Sequence, residues 1–359
     1  MGQRQATGQR RRYGHVRGRF QMRAESDMEE IERHAIVTRS HMYAAARRSI
    51  LAVPASSSRM LEKARGLPAD EIFLDLEDAV APGAKAAGRA AVVTALAAPD
   101  WAGQARVVRV NDWTTPWTLD DVVTVVRGAG AHLDSILLPK VTSAAQVTAL
   151  DLLLRQLEIN AGLPVGQIGV QAQIENAQGL AAINEIASAS DRLRSLVLGP
   201  ADMMASLGMR GLAVGEQPQG YVTGDAHHHV LMTILVAARA HGLTAIDGPY
   251  LKIDDAQGFR AVADASAALG YDGKWVVHPS QIDIANEVFS PRQSDYDTAE
   301  NLLDAYAHAT SAAGGERGAV RFEGEMIDEA SRKMAEVIAA KGRAAGMTRT
   351  PDADAAAQD

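Results

Sequence analysis

The stretch VQAQIENAQGL, residues 170–180, carries the reading on which the fold of this chain turns. Val170, Ala172 and Ile174 alternate with Gln171 and Gln173, the two-residue period of a β-strand, and the run stops on Glu175 just before a helix-like segment. A strand ending on a carboxylate admits two readings: a solvated glutamate at a strand terminus, or a metal ligand at the mouth of a barrel. How the other strands end weighs one against the other.

Working outward, similar short apolar runs recur: RSILAVP (48–54), EIFLDLE (71–77), RVVRVN (106–111), SILLPKV (135–141), IGVQAQIE (168–175), SLVLGPA (195–201), TAIDGPY (244–250) and KWVVHP (274–279). Amphipathic helical stretches lie between them. SRMLEKARGL closes on a glycine, a common helix stop. TLDDVVTVVRGAG opens on a threonine N-cap with early acids. NAQGLAAINEIASAS lines up Leu180, Ile183, Ile186 and Ala187 on one stripe. Strands alternating with helices predict an α/β fold with a parallel sheet covered on its outside. Eight units over about 240 residues fit a closed (β/α)8 TIM barrel better than an open doubly wound sheet. The open sheet stays as the alternative, although no G-x-G-x-x-G follows the first strand to support a dinucleotide site.

The predicted organisation is an N-terminal extension (1–46), a catalytic barrel (47–290), a C-terminal helical extension (291–345) and a disordered tail (346–359). Residues 281–313 read as helix, SAAGGERGA (311–319) as a joint, and FEGEMIDEASRKMAEVIAAKGRAAG (322–346) as a terminal helix.

Of the 359 residues, 47% are apolar and 22% charged, the composition of a globular protein with ample material for a core. A formal net charge of −8 argues against nucleic-acid binding across the whole surface. Residues 1–23 nevertheless carry Arg4, Arg10, Arg11, Arg12, Arg17, Arg19 and Arg23 without one acid. This reads as a nucleic-acid arm, a transit peptide or, the favoured reading, an extension or over-called start, with Met22 or Met28 as the true one. The chain has no cysteine, which excludes disulfides, thiolate nucleophiles and cysteine-zinc sites. No apolar run approaches the ~20 residues needed to span a bilayer, so a soluble cytoplasmic protein is expected.

Active sites of such barrels sit at the carboxyl ends of the strands. The polar residues predicted there are Asp75, Glu77 and Asp78, then Arg109 and Asn111, Lys140, Gln173 and Glu175, Asp202, Asp247 and His278. Glu175 and Asp202 form the best metal-ligand pair. Two carboxylates with few nitrogen ligands suit a hard cation, Mg²⁺ above all, with Mn²⁺ as the second choice; the competing reading makes each a helix cap. Backbone N–H groups of the Gly199-Pro200-Ala201-Asp202 turn offer a seat for a substrate carboxylate. Arg109, flanked by valines, needs an anionic partner: either strand-two acids, or negative charge developing on a substrate oxygen. The three acids of LDLEDAV crowd one another, which shifts their pKa values. His278 reads equally as a structural strand-end residue or a cofactor contact. His227, His228 and His229 are adjacent and face different directions on a helix, which disfavours zinc.

Together, RSILAVPASSSRMLEKARGLPADEIFLDLEDAVAPGAKAAGR, VVRVN, LLPKV, QIENAQGL, LGPADM, AIDGPY and KWVVHPSQI resemble the citrate lyase β-subunit-like acyl-CoA lyases of the HpcH/HpaI aldolase superfamily. The likeness runs in order from about residue 47 to 290, with a family-like tail to about 343. HHHVLMTILVAARAHGLTAIDGPY is similar to the malyl-CoA/β-methylmalyl-CoA lyase branch. The resemblance implies Mg²⁺, a CoA thioester and reversible Claisen cleavage of a 3-hydroxyacyl-CoA to a 2-oxo acid and an acyl-CoA, in a homotrimer or homohexamer. It implies Glu175 and Asp202 as metal ligands, Arg109 on the thioester and its enolate, and Arg48 on the CoA phosphates. It also implies Asp328, in FEGEMIDEA, as the acid that completes a neighbouring subunit's site. Asp78 joins the catalytic candidates, and Lys140, Gly199, Pro200, Ala201 and His278 the substrate contacts. The alternatives are a free-acid 4-hydroxy-2-oxo acid aldolase, an added thioester hydrolysis, or a non-catalytic subunit of a larger lyase complex.

Overall fold

The computed structural model describes residues 45–211 and 213–351. The arginine-rich segment through residue 44 and the tail from residue 352 lie outside the described residues. The elements run β1 (Ser49–Pro54), α1 (Ser58–Ala64), β2 (Glu71–Asp75), α2 (Lys85–Leu96), β3 (Ala105–Arg109), α3 (Thr118–Ala129), β4 (Ser135–Leu138), α4 (Ala144–Ala161), β5 (Gly169–Ile174), α5 (Ala177–Ala181), α6 (Ile183–Ala187), β6 (Leu193–Leu198), α7 (Pro200–Ser206), α8 (His228–Ala240), β7 (Thr244–Asp247), α9 (Ala256–Leu269) and β8 (Gly273–Val276). After the barrel come α10 (Ile282–Val288), α11 (Gln293–Thr310), β9 (Val320–Phe322), β10 (Glu325–Ile327) and α12 (Glu329–Ala344). Strands β1 to β8 pair in sequence order, all parallel, and β8 closes on β1. This is the expected (β/α)8 barrel with a C-terminal helical region.

Two apolar layers account for it. Ile72, Leu74, Val108, Ile136 and Leu138 point outward and pack under the helices. Ile50, Phe73, Val107, Leu137, Val197, Ile246 and Trp275 fill the barrel interior, one from each strand except β5. Strands buried on both faces therefore read as nearly continuous apolar runs. Strand β5 differs. Its Val170, Ala172 and Ile174 join the outer layer, while Gln171 and Gln173 occupy the axis side, both buried. Gln171 Nε2 reaches across the barrel to both oxygens of Glu71, 3.0 Å each. The alternation in VQAQIE thus marks helix side against barrel axis, rather than core against solvent.

Local departures from the sequence reading have local causes. Trp117, not Thr118, is the N-cap of α3, because the Thr118 hydroxyl donates to the Asp112 carbonyl. The NAQGL stretch splits into α5 and α6 at Ala182, with Asn176 capping α5. The helix expected over 281–313 breaks into α10 and α11 around Ser290-Pro291, since proline lacks an N–H and disfavours helical backbone before it. The terminal helix expected from 322 begins with a hairpin instead. Glu323 and Gly324, both at positive φ (46° and 92°), make the two-residue turn between β9 and β10. The tail expected to be disordered from 346 is held along α11 as far as it is described: Arg349 NH1 meets Asp304 at 2.7 Å, and Thr350 Oγ1 meets Asp297 at 2.7 Å. Among the described residues no helix is long and apolar enough to cross a membrane.

The entry to β5 is pinned by a buried ion pair. Arg192 donates to both oxygens of Glu158 (2.8 and 2.6 Å), and Glu158 also accepts from the backbone of Gly166 and Ile168, 2.9 Å each. Replacing Glu158 by Ala leaves two backbone donors unpaired and Arg192 with only Asp151 and the Ile168 carbonyl. The expected loss is about 3–5 kcal/mol of unfolding free energy in urea titration, while Asp100→Ala, which removes an exposed partner of Arg65, leaves the urea midpoint nearly unchanged.

Candidate active site

The carboxyl ends of β2 and β3 lie side by side, with Asp75 opposite Arg109 in the register. Arg109 is 7% exposed. Its Nε and one terminal nitrogen grip the two oxygens of Asp75 at 2.7 Å each, and its other terminal nitrogen lies 3.0 Å from Glu77 Oε2. The guanidinium sits over the rings of Trp275 (5.0 Å) and Phe73 (5.6 Å), which meet edge to face at 4.7 Å. Burial opposes this charge, but Asp75 and Glu77 outweigh it and hold Arg109 protonated at every working pH. A guanidinium has five N–H donors; two go to Asp75, and the nitrogen beside Glu77 makes an ion pair without an aligned hydrogen bond.

Lys140 stands beside it, after β4. Its Nζ is 2.7 Å from Glu77 Oε1, and its backbone N–H donates to Glu175 Oε1 at 2.6 Å. The backbone turns left-handed to aim that N–H (φ 51°), a conformation non-glycine residues seldom adopt. Glu175, directly after β5, also accepts from Gln173 Nε2 at 2.6 Å. Gly199, directly after β6, leaves room for it: a Cβ there would lie 2.3 Å from Glu175 Oε2. Asp202 lies in the first turn of α7.

Carboxylate charge dominates the mouth. Asp75, Glu77, Asp78, Glu175 and Asp202 bring five acids against two cations, Arg109 and Lys140, a difference of three negative charges when all are ionised. Burial, with Glu77 and Asp202 adding repulsion, pushes Glu175 up to about 8. Burial likewise raises Glu77. Glu77 Oε2 and Gln173 Oε1 are buried acceptors without a hydrogen-bond donor. This oxygen-rich, electron-rich set fits a hard divalent cation. Among the described residues no group of three or more His, Cys, Asp or Glu forms a closed metal cage. Two carboxylates leave positions for waters and substrate oxygens, the manner in which Mg²⁺ is usually held.

Several predicted site residues are elsewhere or otherwise engaged. Arg48 precedes β1, so parallel strands put it at the amino end of the barrel, opposite the mouth. There it pairs with both oxygens of Asp70 (2.8 Å each) and reaches Ser290. Asp78 points outward, with a side chain 64% exposed and oxygens 3.4 and 3.5 Å from Lys140 Nζ. The buried acid between Arg109 and Lys140 is its neighbour Glu77, a strand-end residue passed over for a catalytic role. Asn111 turns away from the mouth to Lys85, Asp121 and the Leu76 carbonyl. Asp247 pairs with Lys274 at 2.5 Å, on positions alternate to the inward Ile246 and Trp275. His278 is exposed, and its Nδ1 accepts from the Ser280 N–H at 3.3 Å as a cap. Gly199 and Pro200 are buried and Ala201 exposed. His227 is buried while His228 and His229 face solvent. Asp328 is the exposed N-cap of α12, accepting from Ala330 and Ser331. That helix is anchored by Lys341 to Asp272 and the Tyr271 carbonyl, at the amino end of β8.

The chain is similar to several known proteins. The family model described as HpcH/HpaI aldolase/citrate lyase matches residues 48–279. An L-malyl-CoA/beta-methylmalyl-CoA lyase of Cereibacter sphaeroides is 40% identical over 293 residues, 79% of this chain and 91% of that protein. A (3S)-malyl-CoA thioesterase of the same species is 37% identical over 281 residues, 78% of this chain and 89% of that protein. The crystal structure of CitE from Mycobacterium tuberculosis in complex with magnesium, acetoacetate and coenzyme A superposes with a TM-score of 0.64 at 32% identity, covering 85% of this chain and all of that one.

Three outcomes are expected of the site. A proton and Mg²⁺ compete for Glu175, so Mg²⁺ affinity by titration calorimetry should rise with pH, up to about tenfold per unit below pH 8, and level off above it. Without metal the sign reverses for stability. The folded state keeps a proton that the unfolded chain has released, so the metal-free protein loses stability as pH rises from about 4.5 to about 8. Gly199→Ala should displace Glu175 and weaken Mg²⁺ binding at least tenfold in the same titration, as a misplaced ligand typically does.

Proposed function

The chain belongs to the HpcH/HpaI aldolase/citrate lyase family, and from that premise we infer the reaction of the site. The protein is a Mg²⁺-dependent carbon–carbon lyase acting on a CoA thioester. It cleaves a 3-hydroxyacyl-CoA reversibly to a 2-oxo acid and an acyl-CoA: malyl-CoA to glyoxylate and acetyl-CoA, β-methylmalyl-CoA to glyoxylate and propionyl-CoA, or citramalyl-CoA to pyruvate and acetyl-CoA. The observation that carries the reading is Arg109, a permanently charged guanidinium caged at a barrel mouth rich in acids.

Glu175 and Asp202 hold the metal, which when bound supplies Lewis-acid polarisation of the oxo-acid oxygens. The residues of the chain do the rest. The substrate's 3-hydroxyl loses its proton to solvent and becomes the carbonyl of the 2-oxo acid, the electrons of the broken C–C bond pass onto the thioester oxygen as an enolate, and the spare Arg109 N–H groups are placed to meet that developing charge. Such fixed donors act without reorganisation in a buried site. Lys140 hydrogen-bonds Glu77 beside Arg109 and works against the rise that burial gives its pKa. An acid must then deliver a proton to the enolate carbon. Asp328 takes that role for a neighbouring copy: on its own subunit it caps a helix anchored at the other end of the barrel. That assignment needs a second copy of the chain, and the homotrimer or homohexamer is what the family resemblance implies. The thioesterase relative supports a second reading, in which CoA is released by hydrolysis.

Incubation with Mg²⁺ and malyl-, β-methylmalyl- and citramalyl-CoA separates these readings. The lyase yields a 2-oxo acid trapped by phenylhydrazine and no free thiol. Hydrolysis yields free CoA, followed with a thiol reagent that cannot label this cysteine-free chain. Absence of a 2-oxo acid from all three substrates would sink the lyase reading. Arg109→Lys should lower kcat about 10²–10³-fold, the usual loss for a removed oxyanion donor. Glu175→Ala should abolish Mg²⁺-dependent turnover and leave the circular dichroism of the fold unchanged.

A further inference from the structure

Lys85 lies outside the site as described, yet it is the most deeply buried lysine near it. On α2 it is 5% exposed, and its Nζ donates to the Leu76 carbonyl (2.7 Å), the Glu77 carbonyl (2.8 Å) and Asn111 Oδ1 (2.7 Å), with the Trp117 ring 5.0 Å away. An ammonium has three donors, and all three are used on neutral acceptors. Nearby acids reach it only through space: Asp121, Asp75, Glu77 and Asp78 all favour its charge, while burial lowers its pKa overall. For packing alone an apolar side chain would be the more stable choice, because a desolvated cation is costly even when hydrogen-bonded.

What the ammonium grips is informative. Leu76 and Glu77 are the two residues that leave β2, and Glu77 sends its carboxylate between Arg109 and Lys140. The Glu77 N–H is tied to Asp75 Oδ1 at 2.9 Å, and its carbonyl to Lys85 and the Val80 N–H, the latter at 2.9 Å. Behind Lys85 the tie continues. Asn111 Nδ2 donates to Asp121 Oδ2 at 2.6 Å and to the Leu76 carbonyl at 3.0 Å, and Arg89 Nε donates to Asp121 Oδ1 at 2.6 Å. One buried chain, Arg89–Asp121–Asn111–Lys85, thereby braces the ends of β2 and β3 against α2 and α3.

We infer that Lys85 is a positioning residue for the lyase reaction. It fixes the backbone of Glu77 and, through the Glu77 carboxylate, sets Arg109 and Lys140 where the reaction needs them. The inference rests on the lyase reading above. Lys85 itself touches neither substrate nor metal, so its loss falls on the rate and not on binding.

Lys85→Met keeps the length of the side chain and removes the three donors. With native circular dichroism, its kcat on whichever acyl-CoA the wild type cleaves should fall about 10–100-fold, the scale of a misplacement near 1 Å. Its KM should stay within about threefold. Crystal structures of the two proteins should show Glu77 swung away from Arg109 and Lys140 in the variant. Lys85→Gln, which keeps donors for the carbonyls without charge, carries both readouts if the methionine variant does not fold, and should fall between it and the wild type. A variant with wild-type kcat, or one that loses activity with Glu77 unmoved, overturns the inference. A wild type inactive on every CoA thioester overturns the lyase reading instead, and the crystallographic comparison still judges the placement of Glu77.

Discussion

Repulsion among five carboxylates at one end of a narrow barrel is the constraint around which the rest of this structure is arranged. Burial and mutual repulsion raise Glu77 and Glu175, and carboxylates this close would swing apart in water. Here Asp75 and Glu77 are held by a guanidinium that cannot lose its proton. Arg109 takes Asp75 bidentately and Glu77 on its other nitrogen, with Trp275 and Phe73 closing its faces. Lys140 completes the arrangement by contacting Glu77 with its ammonium and Glu175 with its backbone. Neither cation forms a side-chain ion pair with Glu175 or Asp202, the two acids proposed to hold the divalent cation.

The barrel makes that concentration tolerable. Its middle layer is apolar on seven strands, while the glutamines of β5 run as a polar strip along the axis. Gln171 satisfies Glu71 deep in the barrel, and Gln173 satisfies Glu175 at the mouth. Buried acids at both ends of the strip have donors from the same strand. Gly199 supplies the complementary absence: without a side chain after β6, the Glu175 carboxylate can lie against the neighbouring strand. Positions of this kind belong to rigid strands and the first residue after them, which suits ligands that must hold their geometry.

The C-terminal segment obeys a different logic. Its two long helices pack on each other through Ala299, Ala335 and Ala339, small residues that permit close approach. Lys341 ties the segment to the amino end of β8. The acid at the start of α12, Asp328, is exposed and spends one oxygen on capping its own helix.

Much of this was legible along the chain. Apolar runs with period two and polar last residues marked the eight strands, and strand polarity placed Arg109, Lys140, Glu175 and Asp202 at one end, because parallel β/α units turn every carboxyl terminus to the same face. Periodicity is a local property, and it stopped there. It could not choose between Glu77 and Asp78, adjacent acids with opposite fates, since the choice lies in a turn braced by Lys85, Asn111 and Asp121 from other elements. Nor could it show that Asp247 turns to Lys274 and Arg48 to Asp70. The sequence by itself determined which side of each strand is apolar and which residues end it. The tertiary structure alone decided which of those charges face one another, because a buried charge takes its direction from the partner that offsets its desolvation, and that partner stands tens of residues away.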